Sequence, residues 1–251
     1  MLNASALYLY PACGLVLMLL TWPMTGSGRR VLRRWGNITN PTADQIRLVV
    51  RHLRERRLLV VPLMFLAPLT ARAMPTILGP TSDLGSYHLL GSLLVAWLLA
   101  EVIATVRPRR EPVRVASLVR RDWLVPRWAV GLHLALAAAA ITLAVVAQPW
   151  PGGWYLIALT LVTSLVVYGI AWLAMTRPAG INDDVDAALR TRTARSAVGA
   201  GILLAGLLID AAGTRFHIEP AAARVWTAGV SVITVATLIG WGAVISGPRR
   251  A

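Results

Sequence analysis

The chain contains no lysine: all 25 of its basic residues are arginine, set against 11 acidic ones, for a formal net charge of +14. It is also poor in charge overall. Charged residues make up 14% and apolar residues 57%, where soluble domains have about 25% and about 45–50%. With a mean hydropathy of +0.63, a single globular core cannot hide the apolar surface, so a soluble domain is excluded and lipid must act as solvent. Without lysine there is no Schiff-base residue, which excludes a retinal protein. The one cysteine, Cys13, excludes an intramolecular disulfide and a cysteine metal cluster and reads as a small apolar residue. No P-loop, GxSxG elbow or HExxH pattern occurs, nor a GxGxxG placed before a helix. Residues 1–10 carry no basic side chain, so the first apolar run lacks the positive n-region of a cleaved leader and reads as a retained span. Arginine used to the exclusion of lysine points to a GC-rich, bacterial genome.

What the sequence does have is long apolar runs. A span needs about 20 mainly apolar residues, and seven segments qualify: roughly 5–22, 58–79, 87–106, 128–147, 154–175, 196–213 and 224–246. The second holds Arg72 and the prolines Pro62, Pro68 and Pro75. The sixth is short and ends at Asp210.

The arginines test this count, because cytosolic loops are enriched in basic residues. The segments 23–57, 107–127, 176–195 and the C-terminal tail hold nine, seven, four and two of them; the intervening loops hold only Arg215 and Arg224. This alternation predicts an all-α, polytopic integral membrane helix bundle of about seven transmembrane helices, with the N-terminus outside and the C-terminus cytosolic. The expected location is multi-pass in the cell membrane. The arginines punctuate apolar runs rather than forming one soluble face, so no nucleic-acid partner is expected. Trp150 and Trp154 bracket a short outer turn, and Trp22, Trp128 and Trp226 fall near other span ends, where interfacial aromatics belong.

The first cytosolic segment is long for a connector. Thr42 and Gln45 have the spacing of a capping box. Beyond them Ile46, Val49, Val50 and Leu53 share one helical face, and Arg47, Arg51 and Arg54 another. The expected element is a basic amphipathic helix lying on the inner leaflet before the chain turns in at Leu58. It would bind anionic membrane lipid and set topology, or dock a cytosolic or membrane-complex protein. The stretch 111–125 is a fainter version. A faint repeat at an offset of about 70 residues joins Arg107-Pro108 to Arg177-Pro178, either a hairpin duplication or shared membrane-entry grammar.

Ionisable groups within spans are costly, and each is a candidate for function. At about 1.5 Å per residue, Arg72 and Asp210 fall at one outer depth, with Asp83 and His88 nearby. Glu101, His133 and Tyr168 fall about 8–10 Å from the inner end. That inner layer could relay a proton or hold a cation, or its members could be structural. The run Asn182-Asp183-Asp184-Val185-Asp186 tempts a magnesium reading through Asp183, Asp184 and Asp186. Helix capping with favourable dipole placement is the preferred account, because a magnesium-diphosphate site of that kind needs two such clusters and this chain has one. Small residues recur every four positions at Gly131, Ala135 and Ala139 and at Ala197, Gly201 and Ala205. Thr227, Ser231 and Thr234 form a polar stripe. Both patterns suit close helix packing.

No cofactor is called for. The expected role is a non-enzymatic subunit or accessory of a transport or envelope complex, engaging its partner through the arginine-rich segments. The alternative is an autonomous secondary transporter using Glu101 and His133. A third reading is a magnesium-dependent lipid-modifying enzyme using Asp183–Asp186.

Overall fold

The computed structural model describes residues 22–64, 85–106, 124–146, 153–176, 183–213 and 220–246, with isolated positions before them. Within these residues every regular element is a helix. The elements are α1 (Thr25–Trp35), α2 (Ala43–Met64), α3 (Gly85–Val106), α4 (Arg127–Val146), α5 (Gly153–Thr176), α6 (Asp183–Gly213) and α7 (Pro220–Ser246). Four of them, α4 to α7, are long and apolar enough to cross a membrane, and α3 contributes a shorter apolar stretch, Leu94–Thr105. These seven helices are not the seven expected spans, because α1 and most of α2 belong to the basic segment 23–57. Most of the expected span 5–22 with Cys13, and the outer part of 58–79 with Pro68, Arg72 and Pro75, lie outside the described residues. So do Asp83, the stretch 107–123, the turn before Trp154 and the side chains of His88, Asp183 and Trp226.

Local chemistry accounts for the helix ends. At the start of α2 the Thr42 backbone N–H donates to Gln45 Oε1 at 3.0 Å, and the Gln45 N–H donates to Thr42 Oγ1 at 3.3 Å. This reciprocal cap satisfies two free donors. At the end of α1 the N–H groups of Gly36 and Ile38 both donate to the Leu32 carbonyl. Between them Asn37 adopts φ 55°, the left-handed conformation that asparagine tolerates better than most residues. Pro220 opens α7 at the first helical position, where its missing N–H costs nothing.

The basic amphipathic helix is present, but its apolar face is not on lipid. Ile46, Val49, Val50 and Leu53 are buried against Val31 and Leu32 of α1 and Val185, Ala188 and Leu189 of α6. Helix α2 also does not break at Leu58: it continues through Pro62 to Met64 as one rod. The expected surface helix is thus half of a longer element clamped between two others. Pairing with α1 and α6 removes the apolar face from both water and headgroups.

Helix α6 is the hub and contacts each of the other six helices. Of its apolar window 72% is buried, against 17% for α7. The expected short sixth span, 196–213, is the C-terminal part of this 31-residue helix, which begins at Asp183. Hydrophobicity does not drive helices together in lipid, so close packing must, and small residues make it possible. A Cβ on Gly201 would lie 2.9 Å from Val167 Cγ2 and 3.1 Å from His133 Nε2, and one on Gly206 would lie 2.6 Å from Thr237 Cγ2. The stripe Ala197–Gly201–Ala205 therefore packs as expected. The stripe on α4 does not: Gly131 and Ala135 are exposed, and nothing lies within 4 Å of a Cβ on Gly131. Ala129, His133, Ala137, Ala140 and Ala144 form the buried face instead. On α7, Thr227, Ser231 and Thr234 also face outward. Ser231 and Thr234 donate to carbonyls one turn back in their own helix, at 2.8 and 3.0 Å.

Candidate functional site

The described parts of the arginine-rich segments converge on one end of the bundle. There α1 and α2 meet the C-terminal turns of α3 and α5, the N-terminal half of α6 and the residues leading into α4. Helix periodicity explains which arginines turn inward. The buried face of α2 runs 46, 49, 50, 53, and its next members are Arg56 and Arg57. Arg56 forms a hydrogen-bonded ion pair with Glu101 of α3, with side chains only 8% and 5% exposed. The Glu101 carbonyl accepts a 2.6 Å bond from Thr105 Oγ1. Arg57 stacks over the Trp97 ring at 4.9 Å. Burial pushes its guanidinium below the ordinary arginine range, and the Glu101 carboxylate partly offsets this. Arg192 of α6 completes the cluster. Together Arg56, Arg57, Trp97, Glu101 and Arg192 line a cleft whose space, about 20 Å³, has room for one water.

A second cluster adjoins it. Asp186 and Arg190, one turn apart on α6, pair at 2.6 Å and are both largely buried. They line a second cleft with His52, Arg56 and Thr193. Arginine also ties connecting segments to the bundle through tryptophan. Arg54 lies 5.6 Å over Trp22 and donates to the Pro23 carbonyl at 3.2 Å. Arg195 lies 5.1 Å over Trp35 and donates to the Leu124 carbonyl at 3.0 Å. A flat guanidinium can stack and donate at once, which a lysine ammonium does less well.

The candidate residues fall into place as follows. Glu101 engages Arg56, whereas His133 engages Tyr168. The His133 ring is 1% exposed, its Nδ1 is 3.1 Å from the Tyr168 hydroxyl, and the two rings stand 5.3 Å apart. The inner layer is thus two separate pairs. Asp210 is half-buried on α6; its expected partner Arg72 lies outside the described residues. Asp184 is exposed while Asp186 is buried on Arg190, so the two carboxylates occupy different faces. Among the described residues no three metal-ligating side chains gather.

Arg47 and Arg51 are exposed but already paired within α2, to Asp44 and Glu55. Exposed pairs of this kind are worth at most about 1 kcal/mol, yet they cancel the charge of both arginines. The uncompensated face is on α1. Arg29, Arg30, Arg33 and Arg34 are exposed, and none has a carboxylate partner among the described residues. Val31 and Leu32 between them are buried.

Arg56, Arg57 and Arg192 were not singled out in the sequence, although a signal exists. Extending the apolar period of α2 by one turn past Leu53 lands on both Arg56 and Arg57. Comparison with protein-family models, with curated proteins and with solved structures yields no match.

Proposed function

We propose that this chain is a non-enzymatic, multi-pass subunit of a transport or envelope complex in the cell membrane. Its arginine-rich end lies in the cytosol and docks an acidic protein surface. The observation that carries this reading is the α1 face. Four arginines with no carboxylate partner among the described residues project from a helix that is itself locked to α2 and α6 by Val31, Leu32, Val49 and Leu53. A held, uncompensated basic face steers and orients an acidic partner without an ordering cost at the moment of contact. The alternating arginine content of the loops supports about seven spans, with an outer N-terminus and a cytosolic C-terminus.

An autonomous carrier built on Glu101 and His133 is the runner-up. Glu101 is held by Arg56 and His133 by Tyr168, so no joined acid–base pair supports that reading. The magnesium-dependent enzyme would need Asp186, which is engaged by Arg190.

The test is affinity purification from native membranes in mild detergent. Wild type should carry a stoichiometric partner that is lost when Arg29, Arg30, Arg33 and Arg34 are changed to glutamate and retained in Glu101→Gln. Loss in Glu101→Gln alone, in a folded protein, would move the function to the inner cluster.

A further inference from the structure

The cleft between α2, α3 and α6 has unbalanced charge. Three guanidiniums, those of Arg56, Arg57 and Arg192, face a single carboxylate, Glu101. Arg56 uses one terminal nitrogen on Glu101, and its buried Nε has no hydrogen-bond partner. Arg57 has the Trp97 ring, which attracts a cation but does not neutralise it. Arg192 makes no ion pair among the described residues. Buried cations are normally paired or matched by an anion, and a water fitting the cleft supplies no charge.

We propose that this cleft binds the phosphate of an anionic phospholipid. The water-sized space admits one non-bridging phosphate oxygen beside Arg56. Arg57 and Arg192 hold the remaining oxygens at the mouth. Guanidinium forks match phosphate geometry and grip it through two bonds at a time. Basic pockets between membrane helices on the cytosolic side suit anionic headgroups. This site is separate from the exposed α1 arginines and does not depend on the proposed protein partner.

The test uses full-length protein in mild detergent, with native mass spectrometry during titration of phosphatidylglycerol, phosphatidylcholine or inorganic phosphate. Wild type should retain one phosphatidylglycerol and not phosphatidylcholine. Arg57→Gln and Arg192→Gln should each weaken retention about tenfold, the loss expected for one charge-assisted contact. Arg29→Gln with Arg30→Gln should leave it unchanged. Competition by millimolar inorganic phosphate would keep the phosphate site but assign it to a free ion. Equal retention of the two lipids, or equal retention in wild type and both cleft variants, would overturn the proposal. Thermal unfolding provides a second readout: phosphatidylglycerol should raise the Tm of wild type and of the Arg29/Arg30 variant, and not that of Arg57→Gln.

Discussion

At the scale of single residues, the buried Arg56–Glu101 pair has the sharpest energetic consequence. Removing one member strands the other in a poorly solvated place, at a cost of about 3–5 kcal/mol, whereas replacing both with apolar residues of similar size is often neutral. Glu101→Gln should therefore lower thermal stability in detergent substantially, and Arg56→Met combined with Glu101→Leu should recover only part of the loss, because Arg57 and Arg192 then face no carboxylate in the cleft. A Glu101→Gln variant as stable as wild type would mean that the pair does not hold α2 to α3. The exposed pairs Arg47–Asp44 and Arg51–Glu55 behave oppositely, because solvent screens them. The all-arginine composition also becomes intelligible here. Arg54, Arg57 and Arg195 each stack on an indole, and lysine would lose that flat contact.

At the scale of elements, two glycines distinguish a packed stripe from an idle one. Gly201→Val pushes a branched side chain into Val167 and His133, an overpacking that costs about 1–3 kcal/mol. Gly131→Val points into open space and should change stability by less than about 0.5 kcal/mol. Measured Tm values in the reverse order would contradict the position of α6 between α4 and α5. The same pair shows what could be read from the sequence. The capping box at Thr42 and Gln45 was legible, because it is set by four adjacent residues. The amphipathic period of α2 was legible too. Its burial against α1 and α6 was not, since a period reveals a face but not what covers it. The stripe at Gly131 misled for a related reason: lipid is as apolar as a helix interface, so small residues at four-residue spacing can face either. Glu101 and His133 were legible as polar groups set within apolar runs. Their true partners depend on which helices are neighbours, and depth does not encode that.

At the scale of the whole molecule, arginine alternation along the chain becomes a charge gradient along the bundle. The described arginine-rich segments meet at one end, joined through Leu32, Val49 and Ala188 and through the Arg56–Glu101 pair. Four helices can cross a membrane on length and composition; the proposed topology adds three more spans and a direction. Cysteine labelling tests it in a Cys13→Ala background. Cysteines placed at Gly26 and at Ser246 should react only from the cytosolic side, and one at Gly152 only from outside. Labelling of positions 26 and 152 from the same side would defeat the seven-span arrangement.

The most direct measurement of the central claim is affinity purification of wild type beside the variant carrying glutamate at positions 29, 30, 33 and 34. The account predicts an acidic protein partner, stoichiometric with wild type and absent from an equally folded variant. The same partner in equal amount on both, or a wild-type protein that purifies alone from native membranes, would contradict it.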